Sequence, residues 1–195
     1  MAIAVEDIKK LRDQTGAGMM KAKEALEASG GDFDKAVQYL REKGEASAAK
    51  KADREARAGL VEAYVHGGRI GVLVEVNCET DFVARTEDFK AFARDIAMHV
   101  AAADPQYLNP ETVPAEVVER EKAIYRKEVE GKPAEIIEKI VDGKLAKFYE
   151  QVCLMNQPFV KDPDLSVSKL TSQTVAKLGE NIVIRRFERM ELGTV

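Results

Sequence analysis

The chain has 195 residues, of which 33% are charged and 6% aromatic, and its 30 basic and 34 acidic side chains leave a formal charge of −4. That length admits one substantial core, or a small module joined to a medium one. The charges alternate without forming a block, and the basic pairs Lys50–Lys51 and Arg185–Arg186 have acidic neighbours, so nucleic acid is not expected as a direct partner. No run approaches the ~20 apolar residues of a bilayer span, and the first 20 residues are charged and amphipathic where a secretory signal is apolar. A cytoplasmic protein without membrane contact is therefore expected, of α+β class with few strands.

Residues 1–44 read as three short helices punctuated by glycine. Ile8 and Leu11 mark the inner face of the first, which stops at Gly16–Gly18. Ala22, Ala25 and Leu26 mark the second, ending at Gly30–Gly31. Asp32 suits the N-cap of the third, where Phe33, Val37 and Leu40 recur at helical spacing. A module of about 45 residues is marginal alone and needs a neighbour or partner. Met19 and Met20 are adjacent and cannot both point inward, so two readings stand: one is an adaptable contact, or both are partly covered.

Residues 45–59 are alanine-rich with dispersed charge and predict a solvent-facing connecting helix, ended by Gly59. From there to residue 195 the pattern predicts an α+β core. Leu60–Val65 and Arg69–Val76 flank the turn-like His66-Gly67-Gly68 and read as a β-hairpin, with Val72, Val74 and Val76 at period two. Thr86–Ala103 predicts a helix with the stripe Phe89, Phe92, Ile96 and Val100. A helical hairpin at about 114–156 follows, with Pro114 and Pro133 at first helical positions and Gly131 between its arms. Gln157–Val160 reads as a return loop, Val167–Leu178 as a last helix, and Ile182–Glu188 as a third strand of an antiparallel sheet packed on helices.

Catalytic groups are scarce. The chain has two histidines, His66 and His99, and two cysteines, Cys78 and Cys153, with no metal-ligand spacing, no phosphate loop and no dinucleotide fingerprint. An enzyme, a cofactor and a bound metal are therefore not expected, and the thiols are expected reduced and partly buried. His99 sits among apolar residues and reads as structural; His66 at the hairpin tip is either a partner contact or a simple turn residue. Function must then reside in surfaces.

The most suggestive surface is Glu75–Arg85 (EVNCETDFVAR), where an apolar strand runs into an acidic-aromatic tip before a helix. Two readings compete. Asp81 caps a helix while Phe82 tucks beneath it, or Thr80, Asp81, Phe82 and Val83 form an exposed element built to touch a partner.

Leu11–Met20 (LRDQTGAGMM), Glu75–Arg85, Ile96–Val100 (IAMHV), Gln157–Val160 (QPFV) and Gly179–Arg186 (GENIVIRR) together resemble the translation elongation factor Ts family, in order and over essentially the whole chain. The resemblance implies a guanine nucleotide exchange factor that binds the GDP form of elongation factor Tu during protein synthesis. In that family Thr80–Val83 would enter the GTPase domain and disturb its Mg²⁺ site, with Asp81 supplying the polar disruption and Phe82 an apolar wedge. Arg12, Met19 and Met20 match positions through which the N-terminal module, similar to a ubiquitin-associated fold, contacts the same domain. Longer members carry a duplicated core; one hairpin and one final strand here imply a homodimer, giving a two-plus-two complex with the partner. The alternative is a non-catalytic adaptor or chaperone-like scaffold.

Overall fold

The computed structural model describes residues 3–131 and 133–194. Its elements are α1 (Val5–Thr15), α2 (Met19–Ala28), α3 (Phe33–Ala49), β1 (Ala58–His66), β2 (Ile70–Cys78), α4 (Asp81–Ala84), α5 (Glu87–Ala103), α6 (Ala115–Glu128), α7 (Ala134–Val152), β3 (Pro158–Phe159), β4 (Asp162–Ser166), α8 (Val167–Leu178) and β5 (Val183–Glu191). The fold is α+β, with N-terminal helices, a three-stranded antiparallel sheet packed on helices, and a helical hairpin. The chain forms two compact units. One takes in the residues up to Glu62 with Glu75–Ala93 and Lys169–Arg185; the other takes in Ala63–Val74, Arg94–Ser168 and the residues from Arg186 on.

In the first unit, α1 stops because Gly16 adopts φ 68° and returns its N–H to the Arg12 carbonyl, a conformation that costs a residue with a Cβ. The Asp32 carboxylate accepts from Lys35 N and so opens α3. Ile8, Leu11, Ala22, Ala25, Leu26 and Ala36 close the small core, with Ile3, Phe33, Val37, Tyr39 and Leu40 packed against it. The connecting helix expected over 45–59 does not form separately. Instead α3 continues through Gly44 to Ala49, and a turn leads to β1. Gly44 is buried, and a Cβ there would lie 3.4 Å from the Ala176 Cβ. It is a point of close helix approach rather than a stop.

The sheet order is β1-β2-β5. Gly67 and Gly68 take φ 56° and 69°, and Arg69 N donates to His66 O at 3.0 Å, the positive-φ pair that a tight hairpin requires. Leu192 N donates to Arg69 O at one end of the β2–β5 pair, and Arg185 Nε donates to Asn77 Oδ1 at the other. Val72, Val74, Val76, Ile182 and Ile184 are buried, as is the expected α5 stripe Phe89, Phe92, Ile96 and Val100. Strands β1 and β2 extend past the expected hairpin, and β5 runs three residues beyond the expected Glu188.

The second unit contains the α6–α7 hairpin. Pro114 and Pro133 stand at the N-cap positions, one residue earlier than expected, and the Arg126 guanidinium forks onto Glu138 at 3.0 and 3.2 Å. The segment expected as a return loop is instead paired: Pro158–Phe159 forms a small antiparallel ribbon with Asp162–Ser166. Phe159 is buried and its ring lies 5.9 Å from that of His99. The aromatic anchor explains why so proline-rich a stretch holds an extended form.

His99 itself is fully buried. Val160 N donates to its Nδ1 at 3.3 Å, so the ring proton resides on Nε2 and is donated to Gln157 Oε1 at 2.9 Å. Gln157 Nε2 donates in turn to the carbonyls of Ala103 and Gln151. Every polar atom is satisfied with the ring neutral, and burial pushes its pKa below the ordinary 6.5. As the pH falls, the unfolded chain therefore takes up this proton first. The stability that depends on the neutral ring is complete above about pH 6.5 and is lost as the pH drops from there toward the folded-state value. Denaturant unfolding at about pH 7.5 and about pH 5.5 should show the lower free energy at the acid pH, and His99→Gln should flatten that slope whatever it does to absolute stability.

Candidate functional site

The tip after β2 is a single helical turn, α4, too short to hold itself. Thr80, not Asp81, is its N-cap: the Thr80 hydroxyl oxygen accepts from Val83 N at 3.4 Å. Thr86 closes the far side, its hydroxyl donating to Val83 O and accepting from Phe89 N at the start of α5. Ala84 is the buried residue of the turn. Phe82 is 87% exposed, which overturns the reading in which it tucks beneath a helix. Asp81 is also exposed, 3.9 Å from Arg85, a surface pair of little energetic weight.

What fixes the turn comes from more than a hundred residues away. The Glu180 carboxylate accepts from Glu79 N and Thr80 N, both at 3.0 Å, and from the Thr80 hydroxyl at 2.6 Å. Glu79 reciprocates, its carboxylate accepting from Asn181 N at 2.7 Å. The Asn181 side chain donates to the carbonyls of Ala52 and Arg54, and Arg54 lies 3.5 Å from Glu79. Cys78 Sγ donates to Thr80 O at 3.2 Å. Sequence reasoning missed Glu79, Glu180 and Asn181 as supports, because no local pattern announces a bond between segments so far apart.

The same unit carries the N-terminal candidates. Arg12 is exposed and paired with Asp13 at 2.6 Å. Met19 and Met20 open α2, and both are exposed, Met20 at 77%. The C-terminal end of α8 ties these helices down: Lys21 Nζ donates to Ala176 O at 3.2 Å, and Lys177 packs its side chain against Gly16 while pairing with Asp88 at 2.8 Å. Glu180 follows one turn later. In the other unit, His66 is exposed, and its Nδ1 lies 3.0 Å from the Tyr64 hydroxyl.

Burial and nearby Glu180 push the Cys78 thiol up, and burial raises Cys153 to about 11. Neither supplies a thiolate near neutral pH. Among the described residues no group of His, Cys, Asp and Glu is placed to hold a metal, and no helix is long and apolar enough to cross a membrane.

The first unit thus presents an exposed aromatic on a braced turn and, at the start of α2, two further exposed apolar side chains, the kind of surface that suits docking. The sequence matches the family model described as Elongation factor TS over residues 4–175. It is 55% identical to the elongation factor Ts of Thermodesulfovibrio yellowstonii, over 99% of this chain and 98% of that one. It is 59% identical to that of Carboxydothermus hydrogenoformans, over 98% and 89%, and 57% identical to that of Caldanaerobacter subterraneus subsp. tengcongensis, over 98% and 97%. The chain belongs to the elongation factor Ts family.

Because the Phe82 ring packs on almost nothing of its own chain, Phe82→Ala should change the unfolding free energy by no more than about 0.5 kcal/mol. A buried ring would cost about 3–5 kcal/mol. Denaturant titration of the two proteins measures the difference.

Proposed function

We propose that this protein is a guanine nucleotide exchange factor for elongation factor Tu, acting through the Thr80–Val83 turn as a wedge. The observation that carries the reading is Phe82, almost fully exposed on a turn whose backbone is tied by four hydrogen bonds to Glu180, Thr80 and Cys78 side chains. Membership of the elongation factor Ts family supports elongation factor Tu as the partner.

In this mechanism the protein performs no covalent chemistry. It binds the GDP form, Phe82 enters between apolar elements of the GTPase domain, and Asp81 brings a carboxylate toward the partner's Mg²⁺ environment. That ion neutralises phosphate oxygens, so shifting its ligands leaves the diphosphate held by fewer positive charges and GDP leaves. Linkage makes the effect reciprocal: whatever factor the wedge takes from GDP affinity, GDP takes from the affinity of the wedge. Incoming GTP then releases the factor, which turns over. Arg12, Met19 and Met20 hold the same partner at a second place, with His66 as a further contact. The work requires no cofactor and belongs in the cytoplasm.

A second copy of the chain completes the assembly, as a two-plus-two complex. Exposed apolar side chains on all three strands support it, namely Val65 on β1, Leu73 on β2 and Met190 on β5, with Leu192 just beyond. Covering such side chains drives association.

Substoichiometric protein should accelerate release of labelled GDP from elongation factor Tu, and Phe82→Ala should reduce that acceleration by about tenfold or more. Binding without acceleration would sink the exchange reading in favour of an adaptor. Light scattering after size exclusion should give the mass of two chains; the mass of one would refute the homodimer.

A further inference from the structure

We propose that Glu180 is a positioning residue for the wedge: its carboxylate holds Thr80–Val83 in the shape that enters the partner. The inference rests on the exchange reading above and deepens it. The turn has little of its own to keep it folded. It is four residues long, its cap bond is 3.4 Å, Phe82 and Asp81 are exposed, and its one buried residue is an alanine. Glu180 supplies what the turn lacks, accepting the Glu79 and Thr80 N–H groups and the Thr80 hydroxyl within 3.0 Å.

The group that does this must be a carboxylate. Three donors converge on two oxygens, and only an ionised acid offers acceptors at both, with charge-assisted strength. Glutamine keeps one acceptor oxygen and presents a donor where the Thr80 hydroxyl now donates. The hydroxyl must then turn round, and it competes for the lone pair that takes Val83 N. Glu180 is itself held from both sides. Gly179, at φ 82°, ends α8 ahead of it, and Asn181 behind it is fixed through its N–H to Glu79 and through its side chain to the Ala52 and Arg54 carbonyls. The support is therefore stiffer than the element it supports.

Without Glu180 the wedge samples many shapes, and entering the partner requires ordering it first, which lowers productive binding with no contact to the partner removed. Because Glu180 acts through the wedge, its effect must shrink when the wedge has lost its ring. A double-mutant cycle reads this. In catalysed GDP release from elongation factor Tu, Glu180→Ala should lower kcat/KM by about tenfold or more, Glu180→Gln should lower it less, and both losses should be smaller in a Phe82→Ala background. Hydrogen exchange of the Glu79 and Thr80 amides should quicken in Glu180→Ala, while the amides of α2 keep their protection. If Glu180→Ala fails to fold, Glu180→Gln decides on the same cycle and the same amides. Wild-type kcat/KM in the variants, or an equal loss in the Phe82→Ala background, overturns the positioning role while leaving the exchange function intact. A wild-type protein that does not accelerate GDP release instead overturns the exchange function itself.

Discussion

The Glu180 carboxylate accepts from the main chain of Glu79 and Thr80, the Glu79 carboxylate accepts from the main chain of Asn181, and much of the first unit is arranged around that exchange. The bonds join the turn after β2 to the turn before β5, across 100 to 102 residues of sequence. Closing so long a loop costs little more entropy than closing a shorter one, because the penalty grows only with the logarithm of length. Two acids in proximity would repel if they faced each other bare. Here each accepts from N–H donors, and the Arg54 guanidinium sits beside Glu79. The same bonds that seal the β2–β5 end of the sheet set the backbone of the tip.

The tip departs from ordinary folding logic in its side chains rather than its backbone. A phenylalanine left 87% exposed contributes nothing to the core, and its burial elsewhere is worth about 2–3 kcal/mol. In the proposed function that free energy would be gained on binding the partner. A chain whose other local choices agree with its fold, from the Asp32 cap to the Gly16 stop and the α5 stripe, breaks the rule at a place where function reasonably resides. Cys78 shows how the surroundings accommodate it: its thiol is buried and donates to the Thr80 carbonyl, so it is part of the bracing.

Legibility followed the range of the interactions. Helices stopped by glycine or opened by a cap, the Gly67–Gly68 hairpin and the α5 stripe are local patterns, and the sequence announces them. The α3 extension escaped because the expected module ended at residue 44, whereas Gly44 lies inside the helix and close to Ala176, 132 positions away, against which a side chain would press. The β3–β4 ribbon escaped because Asp162–Ser166 has almost no β-branched or aromatic residues; its order is borrowed from Phe159 and from the Val160 N–H bond to His99. At the site, Phe82 and Asp81 stood out for composition. Whether Phe82 was tucked or exposed depended on packing, and the role of Glu180 depended on a contact that no spacing rule encodes.

The supports of the tip and of the N-terminal helices meet at one place, the C-terminal end of α8. Ala176 O takes the Lys21 ammonium, Lys177 lies over Gly16 and pairs with Asp88, and two residues past the helix Glu180 takes the tip. The two proposed contact regions are carried by one compact unit and would reach a partner with their separation already set. Once either has docked, the other acts at the high effective concentration that a rigid link confers. This arrangement suits a factor that must bind firmly enough to displace a tightly held nucleotide and still leave when another nucleotide arrives. In the proposed mechanism the N-terminal contacts would hold on without opposing either nucleotide, while the opposition would be confined to one turn, so its strength could be altered at Phe82, Asp81 or Glu180 without loosening the grip elsewhere.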